Sequence, residues 1–282
     1  MLKSIAHCSL QAEGSEWQRQ RKLTATPFNE QKSHLVWEEA IRQASDMMDS
    51  WLSDQTKGSK SISKDTRTLA LHVLAYVGFQ KSYPFKSVTK GIEVQQPSTY
   101  RDSLAIVLEN ILVIFVLPAT AFRIPFLPAK WKQIGLAVTT FRKYMLDQLA
   151  DERRLIEEGR PGSGTLMSNL VRASEARHDI VGGNGTERAG MAGRSQEMKP
   201  LSVDEILGNI FVFNFAGHDT TAISLSFSVL LLVAHPEIQD WISQELDFYL
   251  DVEQKGPWKY DAVFPKLKRC LSVLVRILRA AQ

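Results

Sequence analysis

Apolar residues run almost unbroken from Ser202 to His235, SVDEILGNIFVFNFAGHDTTAISLSFSVLLLVAH. Ser202, Asp204 and Glu205 suit a helix N-terminus, with a side-chain oxygen for free amides and carboxylates at the positive end of the helix dipole. Pro236 disfavours helix at the residue before it and so ends the element at 235. About 33 residues at roughly 1.5 Å each make a rod of roughly 50 Å, enough to cross a domain. Elsewhere the apolar positions recur at helical spacing over shorter stretches. They predict a short helix from Ser15 that Pro27 ends and one over Gln31–Leu52 with Leu35, Ile41, Met48 and Leu52 inward. A third runs over Lys64–Phe79 with Leu69, Val73 and Val77, then Ser98–Val116 and Trp131–Gly159. After Pro236 a further helix buries Ile238, Trp241, Ile242 and Leu246, and a last one starts near Phe264. Residues 176–201 carry several glycines with hardly any large apolar residue and read as a flexible loop before the central helix 202–235. The fold class is mainly α, and 1–282 is expected to be a single partial domain.

The central helix is interrupted by Asn214 and by Ala216-Gly217-His218-Asp219-Thr220-Thr221. At about 100° per residue, Phe213, Ala216, Gly217, Thr220 and Ser224 share one face, with Asp219 beside it. Small residues there let a flat, bulky partner approach the backbone. A helical glycine costs roughly 1 kcal/mol against alanine, so Gly217 has a packing or a functional reason. A close helix crossing, with Asp219 and the threonines satisfied inside a bundle, explains the pattern equally well.

Hydrophobic residues are 44% of the chain and charged residues 23%, ordinary globular composition. A net charge of +3 and a pI near 8.8 are too mild to argue for nucleic acid, and no zinc or helix-turn-helix spacing supports one. Cys8 and Cys270 are far apart, without disulfide framework or metal spacing. The N-terminal residues have no apolar core long enough for a signal peptide or anchor, and the block Ile111–Phe122 contains Pro118 and is too short to span. Only the central helix is long enough to be mistaken for a transmembrane span, and buried Asn214, His218 and Asp219 would make that costly. The proline-rich connection over 116–128, with Phe122, Ile124, Phe126 and Leu127, either dips into a bilayer surface or packs on neighbours. Trp17 and Arg21 stand four apart on one helix face, where an indole N–H and a guanidinium can grip one anion, or form an exposed cation–π pair.

The string AGHDTT in a long apolar helix resembles the oxygen-activating helix of the haem-thiolate monooxygenases, the cytochrome P-450 family, and EGSEWQRQRKLTATPF resembles that family's WxxxR helix. Both occur in the family's order, and the scaffold between them is similar to the fungal membrane-associated branch. The resemblance implies a haem cofactor whose propionate is held by Trp17 and Arg21, with Ala216 and Gly217 over the macrocycle and Asp219 and Thr220 as proton-delivering positions. Thr220 also faces the cofactor. It further implies an NADPH-dependent reductase as partner, a lipophilic small-molecule substrate, oxygen insertion of the kind used in secondary metabolism, and the endoplasmic reticulum membrane as location. The 116–128 connection would cover the substrate entrance. Arg19 and Lys22, beside the propionate-binding face, are expected to dock an acidic electron-donor protein.

The resemblance also fails in places. On PKLKRCLSVLVRILR, aligned with the family's E-x-x-R helix, Arg279 holds the arginine position and Arg276 occupies the glutamate's. Two arginines three apart repel instead of pairing. Neither Cys8 nor Cys270 has the context of the glycine-rich loop whose cysteine ligates iron in this family. The chain is therefore expected to cover the family's middle, an incomplete helical domain whose strands, ligand loop and anchor are missing. An inactive truncated monooxygenase and a non-catalytic remnant or mis-spliced product without haem are the two expectations, with a helical membrane protein third. A partial domain is also expected to expose apolar surface.

Overall fold

The computed structural model describes residues 12–25, 27–53, 61–85, 100–116, 128–182, 199–249 and 258–280. Cys8, the connection 117–127 and the glycine-rich stretch 183–198 lie outside the described residues. Every element among the described residues is helical: α1 Gly14–Ala25, α2 Glu30–Ser53, α3 Ile62–Phe79, α4 Tyr100–Glu109, α5 Ile111–Val116 and α6 Ala129–Glu157. They are followed by α7 Leu166–Gly182, α8 Val203–Ala234, α9 Pro236–Tyr249, the single turn α10 Tyr260–Val263, a 3-10 turn Phe264–Lys266 and α11 Lys268–Ala280. The mainly helical expectation is borne out.

The residues divide into two compact units. The first comprises the described residues among Met1–Asn29, Ala75–Lys81 and Glu93–Phe215, so it holds α1, the last turn of α3, α4 to α7 and the start of α8. Its core is Tyr100, Leu104 and Val107 of α4 against Ala137, Phe141 and Met145 of α6, with Ile206, Leu207, Ile210 and Phe211 of α8. Aromatic rings continue that core, Tyr100 lying 5.5 Å from Phe141 and Phe141 lying 6.5 Å from Phe211 between centroids. The second unit comprises Glu30–Leu74, Ser82–Ile92 and Ala216–Gln282 where described, and holds α2, most of α3, the rest of α8, and α9 to α11.

The start of α8 is built as its sequence requires. The Ser202 hydroxyl accepts from the Glu205 amide at 3.3 Å while the Glu205 carboxylate accepts from the Ser202 amide at 2.6 Å, a reciprocal capping box. α7 starts in a related way, with Thr165 Oγ1 accepting from the Ser168 amide at 3.0 Å.

Four expectations are corrected. The predicted helix 98–116 is interrupted at Asn110, where the Ile106 carbonyl is shared between the Asn110 backbone amide at 3.2 Å and its side-chain amide at 2.8 Å. The loop expected from 176 begins later, because α7 continues to Gly182. α2 does not turn Met48 and Leu52 inward: both are exposed, and Lys32, Glu39, Gln43 and Met47 are buried instead. The reason is a polar bridge in which Gln43 donates to Glu39 at 2.9 Å and to the Tyr83 carbonyl at 2.8 Å, and its carbonyl meets His72 Nδ1 of α3 at 2.9 Å. On α9 the buried residue is Glu245, whereas Trp241 is exposed, because Glu245 turns in to accept from the Arg269 and Cys270 amides and cap α11.

Candidate functional site

α1 presents two faces of different character. Trp17 is 42% exposed and Arg21 is exposed beside it, the guanidinium carbon 5.5 Å from the centre of the tryptophan ring system. Among the described residues no hydrogen bond or ion pair engages the Arg21 side chain. An exposed cation stacked on an indole, with its planar fork unspent, suits a carboxylate ligand.

On the other face Arg19 is 8% exposed. It donates to the Lys199 and Pro200 carbonyls at 2.9 and 3.0 Å and pairs with Glu16 and with Glu205, the capping residue of α8. Gln20 donates to the same Glu205 oxygen at 3.1 Å, and Asn209 donates to Gln20 at 3.2 Å. The Arg19 guanidinium holds the Glu16 carboxyl down to about 2. This overturns the expectation that Arg19 docks an electron donor, since a cation buried between two carboxylates is closed to an incoming protein. Lys22 is exposed.

The interrupted stretch of α8 lies in the second unit, where α3 holds it at three points. Arg67 Nε donates to Asp219 Oδ1 at 3.0 Å. Thr66 Oγ1 meets Ser226 Oγ at 2.7 Å. A Cβ built on Gly217 would stand 3.1 Å from Leu74 Cδ2, so the glycine accommodates a close crossing with α3. Gly217 therefore has a packing reason of its own.

Ala216 and Thr220 are exposed, and one and two turns on so are Ile223 and Phe227, which makes an open strip at helical spacing. Thr220 Oγ1 donates to the Ala216 carbonyl, a back-bond within the helix that leaves its lone pairs outward. Asp219 is half-exposed at the rim of that strip, 43% by side chain, and not buried as the sequence had led us to expect. His218 is buried beneath, its Nδ1 3.5 Å from Asp219 Oδ1 and without a hydrogen bond. Burial pushes the His218 pKa down, partly opposed by Asp219 and by a hydrogen bond to the Arg67 backbone, so the imidazole is neutral at pH 7. Asn214 is buried and donates to Ile210.

A family model described as Cytochrome P450 matches residues 5–271. The chain belongs to the cytochrome P450 family. Its relatives include a cytochrome P450 monooxygenase of Arthrobotrys oligospora, 28% identical over 278 residues that cover 96% of this chain and 46% of that protein. The Penicillium rubens cytochrome P450 monooxygenase prx9 is 30% identical over 259 residues, 86% of this chain and 41% of that one. This P450 chain thus spans about half the length of the curated relatives it matches. Among solved structures, the cytochrome P450DA heme domain superposes with a TM-score of 0.67 at 16% identity, covering 98% of this chain and 52% of that one. A zebra fish cytochrome P450 with progesterone superposes at 0.65 and 18% identity, covering 99% and 58%. At those identities the likeness establishes the fold.

Membership of this family implies haem, and the described residues of this P450 chain fit it unevenly. The unspent Arg21 fork on Trp17 fits a propionate, and the open Ala216–Thr220 strip fits a flat group approaching the helix. The donor side does not fit. Cys270, half-buried on α11, has its thiol pKa pushed up by burial and then by Glu245, the reverse of what a thiolate ligand needs. Arg276 and Arg279, which the sequence reading set against the family's glutamate–arginine pair, lie beyond the matched residues 5–271 and are both exposed. Arg67 was not singled out from the sequence; it lies 152 residues from Asp219, and nothing local marks it as that carboxylate's counter-ion.

Proposed function

We propose that residues 1–282 form one partial cytochrome P450 domain, the portion of a haem monooxygenase that grips the cofactor's carboxylate end and supplies the proton-handling face. The observation that carries this reading is the Thr220 hydroxyl on an open strip of α8, beside an Asp219 carboxylate anchored to Arg67. Bound with a thiolate, haem supplies dioxygen activation and one-electron chemistry. Trp17 and Arg21 would hold its propionate, and Ala216 and Gly217 would allow the macrocycle near the helix. Arg67 fixes Asp219 through Oδ1, and Oδ2 carries no hydrogen bond among the described residues. In this reading Asp219 Oδ2 would take up a proton from solvent and the Thr220 hydroxyl would present one on the open strip, with water carrying it between them. Neutral His218 packs beneath without adding a competing charge.

In the whole protein the reading extends to a lipophilic small-molecule substrate, an NADPH-dependent reductase, the endoplasmic reticulum membrane and a place in secondary metabolism, supported by the fungal monooxygenases among its relatives. Residues 1–282 alone are proposed not to turn over, because Cys270 is a buried-side thiol on a helix and offers no thiolate donor.

The test is a haem titration of the 282-residue chain followed by reduction under carbon monoxide. The expected result is haem uptake weakened roughly tenfold by Arg21→Met, the loss of one charge-assisted interaction, with no thiolate-type carbon monoxide band and no turnover. Uptake indifferent to both Arg21→Met and Trp17→Leu would refute the carboxylate site. A stable thiolate-type band would refute the inactivity and force Cys8 or Cys270 into the ligand role.

A further inference from the structure

α1 is held by polar contacts more than by apolar burial. Its buried residues are Arg19, Gln20, Leu23 and Thr24, so a single aliphatic side chain of this helix is enclosed. Twelve residues make at best a marginal helix on their own in water. Apolar burial does not prescribe how a helix is turned about its axis, whereas hydrogen bonds have direction. All three nitrogens of the Arg19 guanidinium are engaged: Nε donates to Glu16 Oε2 at 3.2 Å, Nη1 to the Lys199 and Pro200 carbonyls, and Nη2 to Glu16 and Glu205. The segment it lands on is itself fixed. The Leu201 amide donates to Ser174 Oγ of α7 at 2.7 Å, and the Ser202–Glu205 box closes the first turn of α8. At about 100° per residue, Glu16, Arg19 and Gln20 lie within an arc of roughly 100°, and the middle of the Trp17–Arg21 pair lies about 130° further round.

With the propionate site proposed above as premise, we propose that Arg19 is a positioning residue for cofactor binding: by bolting α1 to the 199–205 segment it sets the rotation of the helix and so aims Trp17 and Arg21 at the haem carboxylate. Geometry rules out a direct pull of Arg19 on the ligand. The residue is 8% exposed, its charge is met by two carboxylates, and it stands about 200° round the helix from Arg21. A preorganised binding group tolerates only about 10–20° of misorientation, so a helix free to turn loses its grip. Lysine would not serve at this position, because its three donors radiate from one point and cannot span acceptors spread around a planar fork.

Haem titrations of the 282-residue chain and its variants, read by the absorbance of bound haem and not by turnover, test the role. Arg19→Met is expected to weaken uptake roughly threefold to tenfold, no more than the roughly tenfold of Arg21→Met through which it acts. In the Arg21→Met background the same change should cost less than about twofold, because the group it aims is gone. Arg19→Lys keeps the charge without the fork and should behave like Arg19→Met. Arg19→Met/Glu205→Gln regains stability but not the fork, so its urea midpoint should rise above that of Arg19→Met while its haem affinity stays low. Without haem, amide exchange over 17–21 should quicken in Arg19→Met and stay unchanged in Arg21→Met. Four results overturn the role: Arg19→Met or Arg19→Lys taking up haem like the unaltered chain, losses that multiply in Arg19→Met/Arg21→Met, affinity that recovers with stability when Glu205→Gln is added, or exchange over 17–21 that Arg19→Met leaves unchanged. All four leave Arg21→Met weakened and the carboxylate site standing. No uptake by the unaltered chain, or uptake indifferent to Arg21→Met, defeats that site and this role with it, while exchange over 17–21 still reports the lock.

Discussion

From Val203 to Phe215, α8 buries Ile206, Leu207, Ile210, Phe211 and Val212; from Ala216 to Ala234 it exposes Ile223, Phe227, Leu230, Leu231 and Val233. One uninterrupted helix thus carries two apolar stretches in opposite surroundings. The first is locked by packing on the aromatic core of the first unit and by the Arg19–Glu205 network at its first turn. The second is held to α3 at Gly217, Asp219 and Ser226, and its remaining face is open. Apolarity alone does not distinguish the halves, and polar groups fix a neighbour to both; what differs is that the first is enclosed by aromatic and aliphatic side chains whereas the second is covered on its α3 side and exposes the rest. The candidate chemistry sits at the start of the open half, where a hydroxyl and a carboxylate can be reached.

The sharpest way to break this comparison is a pair of identical truncations. Phe211→Ala removes a ring that is 1% exposed and should destabilise by about 4 kcal/mol, the transfer energy plus an unfilled cavity. Phe227→Ala removes one that is 53% exposed and should cost no more than about 0.5 kcal/mol. Urea unfolding of both variants measures the difference. Equal losses would mean that the open half is covered in solution.

Arg19→Met attacks the polar side of the locked half. It leaves Glu205 buried without its cation and the Lys199 and Pro200 carbonyls without their donor, and should cost about 3 kcal/mol. Adding Glu205→Gln to that variant should recover at least about 1 kcal/mol, since the stranded charge is then gone. A double variant no better than Arg19→Met would show that Glu205 is not stranded by the single change.

Much of the fold was legible because its signals are local. Helical periodicity located the long elements, and Ser202 with Glu205 announced the capping box that starts α8. Where the reading failed, distant polar groups had intervened. α2 was assigned an apolar inner face, but Gln43 bridges Glu39, His72 and Tyr83, and that contact outweighs burying Met48 and Leu52. Arg19 looked like a surface cation because the carboxylate that buries it lies 186 residues away. For the site, Asp219 and Thr220 are visible as an interruption of an apolar run, whereas Arg67, which fixes Asp219, has no such mark.

Gly217 separates a packing role from a merely permissive one. Its Cβ direction is closed by Leu74 at 3.1 Å, so Gly217→Val should overpack the crossing and cost about 2 kcal/mol despite the better helix propensity of the new residue. Combining it with Leu74→Ala, which opens the same space, should remove most of that cost relative to Leu74→Ala alone. A Gly217→Val variant as stable as the unaltered chain would show α3 free to move away from α8.

The smallest expected effect concerns acid. Glu16 is held at about 2 by Arg19 in the folded chain, against an ordinary value of 4.5. Its folded pKa is lowered, so the folded state binds this proton less readily than the unfolded one. The stabilisation from Glu16 is therefore complete above about pH 4.5 and fades as pH falls towards 2. Its side chain is half-exposed, which limits the contribution to under about 1 kcal/mol. Glu16→Gln should consequently be slightly less stable than the unaltered chain at neutral pH and indistinguishable from it near pH 2. The loss should appear as faster amide exchange over 206–211, the half of α8 that the network locks, with no change over 223–231. A deficit that persists undiminished at the acid end, or one that spreads evenly along the helix, would mean that Glu16 acts through packing and not through its charge on Arg19.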